Sequence, residues 1–321
     1  MGDRTLLQEK IRKVLEEENL WNPSLDSELP KKWEKHGNGV IFGPSTFVSS
    51  TWETPTLKDK LFSTICEVLN VEKIARRTGS ITPNDAYRRP QVELLYGYDG
   101  WVLKTENGIR YTWDLTKCMF SSGNISEKQR ISSWDLHDCT VVDLYAGIGY
   151  FTLSYLLHAK CQRFYACEWN PDALEALKKN LKLNKVGEDR CVVLFGDNRV
   201  TCPKEVADHV NLGLIPSSEP SWEVACAALK KTVGGTLHVH GNVDLKGNEN
   251  GAAKEWDSEY PLAWNLWTTK VVSRMREILK NLYQEEWNVE LVEVVKVKSY
   301  GPCVEHLVAD IKCTPIKKNH D

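Results

Sequence analysis

Three carboxylates and a glycine pair, spread over some fifty residues, carry the side chains best suited to chemistry in this chain. Asp143 follows the apolar pair Val141-Val142 and precedes Gly147-Ile148-Gly149. Glu168 closes the run Phe164-Tyr165-Ala166-Cys167, and Asp197 stands in Gly196-Asp197-Asn198-Arg199. An apolar run, two glycines one residue apart and a return to apolar periodicity read as strand, tight turn and helix, the place where adenosine cofactors bind an open α/β sheet. A dinucleotide site requires a third glycine where this chain has Thr152, so that the helix can pack under a pyrophosphate. The acids select a different ligand. Asp143 can accept, directly or through water, from a cationic α-amino group. Glu168, about twenty residues past the glycines, can take both ribose hydroxyls as a bidentate acceptor. Asp197 can accept from an adenine amino group while the next backbone amide, that of Asn198, donates to a ring nitrogen. Together they describe adenosine joined to an amino acid, which is S-adenosylmethionine (SAM). Taken one at a time, the same residues also read as helix-approach caps and a solvated strand-end acid.

The elements that must hold these groups alternate as a parallel sheet requires. Strands are expected at 140–144, 163–168, 191–195, 209–215 and 235–239, with helices at about 150–159, 171–183, 219–231 and 262–284. Strands at 289–299 and 304–312 flank Tyr300-Gly301-Pro302, so the sheet is expected to end in an antiparallel hairpin. Residues 242–260, polar and glycine-bearing, read as a surface insertion. Ahead of this domain, Leu7, Ile11, Val14 and Leu15 mark an amphipathic helix over about 5–18, and Asn22-Pro23-Ser24 lies beyond its end. Residues 30–135 read as α+β: a strand at 39–42, a helix at 57–69 and strands at 91–96, 101–105 and 109–114. The last pair is joined by Asn107-Gly108, a hairpin signal. The resulting division is 1–28, helix and linker; 29–135, a smaller α+β domain on the substrate side; and 136–321, a Rossmann-like class I SAM-dependent α/β domain with a mostly parallel sheet.

A chain that is 41% hydrophobic and 26% charged has the makings of an ordinary globular core. It contains no run of about eighteen apolar residues and opens on a polar amino terminus, so a cytoplasmic protein without a membrane partner is expected. No Cys-x-x-Cys pair occurs among the ten cysteines, and Cys139, Cys161, Cys167 and Cys191 sit in or beside apolar runs, which points to reduced thiols and no metal. With a net charge of −3, a nucleic-acid partner has to be held by local basic patches.

The segment from Arg110-Tyr111-Thr112-Trp113 through Cys118-Met119-Phe120-Ser121-Ser122-Gly123-Asn124 to Glu127-Lys128-Gln129-Arg130 completes a recognisable series. With Asp143 to Gly149, Cys167-Glu168-Trp169-Asn170-Pro171, Gly196 to Arg199 and Gly213-Leu214-Ile215-Pro216-Ser217-Ser218-Glu219, it resembles the tRNA wybutosine-synthesizing protein 2 family, in order and over about 29–313. That resemblance implies transfer of the 3-amino-3-carboxypropyl group of SAM to C7 of 4-demethylwyosine, beside the anticodon of tRNA-Phe, with release of methylthioadenosine. It also implies that Ser121 and Lys128 reach SAM, where a hydroxyl and a cation suit the methionine carboxylate. Read without the resemblance, Lys128 is a solvated helix charge.

The nearest relatives of that family are tRNA guanine-N1 methyltransferases, which have Asn-Leu-Pro at the end of the fourth strand. Here Gly213 stands at the Asn, and with Pro216 it is placed at the target base. Guanine-N1 methylation is the enzymatic rival, and a non-catalytic tRNA-binding module the rival from another class. Lys31-Lys32 with Lys35, Arg76-Arg77, Arg88-Arg89 and Lys117 are the tRNA candidates, with Arg130 a further cation on the Lys128 segment. The relatives carry an additional small amino-terminal domain for tRNA, whereas this chain opens on a short helix. No obligate protein partner is evident. No residue stands out as the catalytic base; His238 and His240 share one face of a strand and read first as structural, with proton removal from C7 as the alternative.

Overall fold

The computed structural model describes residues 3–81, 85–246 and 261–316. They form two compact units, Met1–Phe120 and Ser121–Asp321. In the first, α1 (Asp3–Glu17) buries the predicted stripe Leu7, Ile11, Val14 and Leu15. Two short strands follow, β1 (Trp33–His36) and β2 (Gly39–Phe42), then α2 (Pro55–Leu69), β3 (Lys73–Arg77) and β4 (Val92–Tyr96). α1 and α2 pack together over a core that includes Phe42, Phe47, Trp52, Phe62 and Ile74. Full burial of one such phenylalanine or isoleucine side chain contributes roughly 1.5–3 kcal/mol. The sheet order is β1-β2-β3-β4, with β2 and β3 parallel across the α2 crossover. β5 (Trp101–Glu106) and β6 (Ile109–Asp114) form a separate hairpin whose Asn107 and Gly108 both take positive φ, as an Asn-Gly turn requires.

The second unit begins earlier than the expected boundary at 136. Its first helix, α3 (Ile125–Ser132), buries Ile131 and packs on α4 (Thr152–Leu157), so residues 121–135 go with the sheet that follows. The helix and linker expected over 1–28 are likewise part of the first unit's core, through Leu7, Ile11, Val14, Leu15 and Leu25.

β7 (Thr140–Asp143), β8 (Arg163–Glu168), α5 (Pro171–Leu183), β9 (Cys191–Phe195), α6 (Asn198–Thr201), β10 (His209–Leu212), α7 (Trp222–Ala228), β11 (Gly235–Asp244), α8 (Leu262–Tyr283), β12 (Trp287–Gly301) and β13 (Val304–Pro315) complete the unit. The seven strands run β12-β13-β11-β10-β7-β8-β9, parallel from β11 to β9, with β12 and β13 antiparallel as expected. From β7 the chain winds outward through β8 to β9, then returns to place β10 on the other flank of β7. That reversal is the topological switch point, where ligands of such sheets bind beyond the carboxyl ends of the strands.

Two strand ends differ from expectation at this edge. β10 stops at Leu212 and not at residue 215, because its parallel pairing with β11 ends at Leu212 opposite Val239. β11 continues to Asp244, since β13 pairs with it as far as Asp244 opposite Val304. Residues 242–244 are therefore strand and not insertion; 247–260 lie outside the described residues. No helix among the described residues is long and apolar enough to cross a membrane.

Candidate active site

The turn after β7 is built by its own acids. Gly147 and Gly149 take φ of +56° and +98°, a backbone that residues with a Cβ rarely adopt. A Cβ on Gly147 would also meet the Tyr150 ring at 2.6 Å. The Glu168 carboxylate crosses from β8 to accept the Gly147 amide at 2.7 Å, and its other oxygen accepts the Asn170 amide at 2.7 Å. Gly196 N donates to Glu168 O at 3.0 Å, which brings the Asp197 segment to the same edge. Asp143, Gly147, Gly149, Glu168, Asp197 and Asn198 thus lie around one turn at the carboxyl edge of the sheet.

Their individual roles are sharper than that placement. Asn198 is buried, its amide donating to Leu144 O at 2.8 Å and its carbonyl accepting from the Ser221 hydroxyl at 2.9 Å, so the side chain braces the turn and only its backbone is left to meet a ligand. Asp197 caps α6 and pairs with Arg199 at 2.5 Å, which holds its carboxyl below the usual carboxylate range. Burial raises the Glu168 carboxyl, against the opposing effect of the backbone amides of Asn170, Gly147 and Trp169. Beside these acids the rings of Trp169 and Phe195 are 44% and 58% exposed, apolar surface next to the groups suited to ribose and adenine.

Asp143 is fully buried and accepts from Asn211 Nδ2 at 3.0 Å, the Tyr145 amide at 3.1 Å and the Thr152 hydroxyl at 3.2 Å. Burial pushes its carboxyl up to about 6, against the lowering by Asn211, Tyr145 and Thr152. The sign of the pH effect follows. A raised carboxyl keeps its proton in the folded protein while the unfolded chain ionises, so this group's contribution to stability falls as pH rises from about 4 to about 6. An ammonium ligand favours the ionised form, so SAM affinity is expected to rise with pH, being roughly tenfold weaker at pH 5 than at pH 7. Calorimetric titration across that range measures it; Asp143→Asn should remove the step, and its persistence in that variant would assign it elsewhere, Glu168 first.

Lys128 is not a solvated charge: it is 1% exposed, with Nζ 5.9 Å from the centre of the Tyr150 ring that covers Gly147. Ser121 is half-buried, just ahead of the 3-10 turn Ser122–Asn124. The tRNA role assigned to Arg130 is withdrawn. Its guanidinium binds Glu127 at 2.8 and 2.9 Å and Asp310 at 2.5 and 3.2 Å, beneath the Trp134 ring at 4.7 Å. Burial opposes the charge on Arg130, yet Glu127 and Asp310 raise it above the ordinary arginine value. Asp310 in turn accepts from or shares a proton with His238 Nδ1 at 2.7 Å, and His238 Nε2 meets His209 Nδ1 at 3.0 Å. Burial would raise the Asp310 carboxyl, but His238 and Arg130 hold it well below the usual range. His240 pairs with His306 at 3.0 Å, and burial pushes both rings down to about 3. His238 and His240 are thus both tied to other side chains of the sheet, through Asp310 and His209 and through His306. Asp310 and Asn211, the partners of Arg130 and Asp143, were not singled out from sequence; a buried Asp and Asn on strands are the only signal they offer.

Gly213 follows β10. A Cβ there would lie 3.2 Å from both Asn211 Nδ2 and the Phe151 ring, so the position has no room for a side chain unless those two yield. Pro216 is exposed, and its carbonyl accepts the Asn242 amide at 2.9 Å. Among the cations of the first unit, Arg76 is turned inward to Glu93 and to the carbonyls of Thr46 and Phe47, and Lys35 to Leu69 O at 2.7 Å. Arg77 pairs with Glu34 at 2.9 Å. Lys31, Lys32, Arg88 and Lys117 are exposed. Among the described residues no group of three or more His, Cys, Asp or Glu is placed to hold a metal ion. Burial pushes the Cys161 and Cys191 thiols up to about 12.

Residues 102–248 match the family model of the TRM5/TYW2 methyltransferase domain and residues 11–100 that of the TYW2 N-terminal domain. The chain is 39% identical to the Rattus norvegicus tRNA wybutosine-synthesizing protein 2 homolog, over 95% of this chain and 76% of that protein. It is also 39% identical to the Homo sapiens homolog, over 92% and 72%. Among solved structures, P. horikoshii TYW2 in complex with MeSAdo shares 28% identity and a TM-score of 0.67, covering 95% of this chain and 98% of that one. M. jannaschii TYW2 in complex with AdoMet shares 25% identity and a TM-score of 0.63, covering 89% and 100%.

Proposed function

The chain belongs to the tRNA wybutosine-synthesizing protein 2 family, and from that premise we propose that it transfers the 3-amino-3-carboxypropyl group of SAM to C7 of 4-demethylwyosine. The base lies next to the anticodon of tRNA-Phe, and methylthioadenosine is the second product. The enzyme is a SAM-dependent tRNA-modifying transferase of the cytoplasm on this reading.

The described residues fit SAM. Glu168, already turned to the Gly147 amide, accepts the ribose hydroxyls; Asp197 accepts the adenine amino group; Trp169 and Phe195 flank the ring. Lys128 and Ser121 bind the methionine carboxylate, and Asp143 favours the adjacent ammonium. A sulfonium offers three electrophilic carbons, so the outcome depends on how the protein turns the methionine arm toward the nucleophile. Exposed Lys31, Lys32, Arg88 and Lys117 contact tRNA phosphates, which set affinity and position. The observation that carries the choice of group is Gly213: the amide that would hold a guanine for N1 methylation is missing, and a Cβ there would already press on Phe151 and Asn211 at 3.2 Å.

Incubation with SAM and tRNA bearing 4-demethylwyosine is expected to yield methylthioadenosine and an aminocarboxypropylated base. S-Adenosylhomocysteine with a methylated guanosine would overturn the reading in favour of methylation, and failure to bind SAM would favour a non-catalytic tRNA-binding module.

A further inference from the structure

We propose that Asp310, on the antiparallel strand β13, is a positioning residue for the methionine arm of SAM: it fixes α3 through Arg130 and thereby sets where Lys128 stands beside the glycine turn. The inference rests on the reading that Lys128 binds that arm.

α3 is a short helix, and Arg130 ties it to the sheet through Asp310. Glu127 and Arg130, three residues apart, share a helix face and grip each other. Arg130 spans to Asp310 at 2.5 Å, with a longer approach to Glu293 at 3.6 Å. Lys128 lies one residue round the helix from Glu127, on the side of Tyr150, whose ring packs on Gly147. A second tie, Ser126 Oγ to Val297 O at 3.2 Å, anchors the helix start but carries no charge.

Asp310 is itself held on several sides. His238 Nδ1 meets it at 2.7 Å, His209 holds the other nitrogen of His238, and Trp134 stacks on His238 with centroids 4.8 Å apart while covering Arg130. Asp143, Asn211, His238 and Asp310 occupy one register line across β7, β10, β11 and β13. The same row of the sheet therefore supports the turn at one end, through Asn211 and Asp143, and α3 at the other. A cation needed at one place on a ligand is useful only if its helix cannot slide, because displacement of about 1 Å already costs substantial binding and rate.

The test compares SAM with methylthioadenosine, which lacks the methionine arm. Asp310→Asn is expected to weaken SAM about tenfold while leaving methylthioadenosine affinity as in the wild type. In a Lys128→Met background the same substitution should cause no further loss, since residues acting through one contact are not additive. Equal loss for the two ligands, no loss at all, or the same fold-change in both backgrounds overturns the proposal. Should Lys128→Met bind SAM as the wild type does, the assignment of Lys128 fails first, and the two failures are told apart. Asp310→Glu, which keeps the charge but lengthens the side chain, repeats the cycle if Asp310→Asn does not fold, with an intermediate loss expected.

Discussion

Glu168→Gln is expected to raise the dissociation constant for SAM roughly hundredfold. The carboxylate accepts the Gly147 and Asn170 amides at 2.7 Å each, and in the proposed role the ribose hydroxyls would add to the same two oxygens. An amide keeps the shape but offers one acceptor oxygen and no charge, and turns its NH2 toward a donor. Hydrogen bonds to a charged group contribute about 1.5–3 kcal/mol each, so losing one or two of them accounts for the factor. Calorimetric titration of the purified variant measures it. A melting transition within a few degrees of wild type would show that the turn has survived, and unchanged affinity would remove Glu168 from the site.

Arg130→Ala is expected to destabilise the second unit by about 3–5 kcal/mol, because it leaves Glu127, 1% exposed, and Asp310, 7% exposed, buried without their shared cation. For a unit of this size that is a fall in melting temperature on the order of 10 °C. Arg130→Lys should recover only part, since an ammonium cannot fork between two carboxylates. Chemical denaturation measures the difference. A loss under about 1 kcal/mol would put the network in the class of surface ion pairs.

These two residues also differ in how legible they were. Glu168 could be picked from sequence because its position follows a rule of the fold: an acid at the end of the second parallel strand, about twenty residues past the glycine turn, faces the ribose. Asp143 and Asp197 obey the same kind of rule. Arg130 follows none. Its partner Asp310 is 180 residues away, and nothing local distinguishes an arginine that folds back onto a strand from one that faces a phosphate. Lys128 shows the converse: the helix pattern alone marks it as solvated, and only the tertiary structure buries it, beside Tyr150. The small strands β1 and β3 escaped for a related reason. Glu34 and Lys35, and Arg76 and Arg77, mask a four- or five-residue alternation, and the ion pairs that make those charges tolerable join residues distant in sequence.

What the chain determined by itself was the order of its elements, the parallel sheet with its antiparallel end, and the acids and glycines of a SAM turn. Apolar periodicity, glycine's access to positive φ and the placement of carboxylates at strand ends all act over a few residues, so they can be read along the chain. What only the tertiary structure decided was which charges face each other. It turned Arg130 inward, buried Lys128 beside Tyr150, set Phe151 against Gly213 and lined up Asp143, Asn211, His238 and Asp310. Those outcomes depend on desolvation and on pairing across the sheet, which exist once the strands are in register and not before.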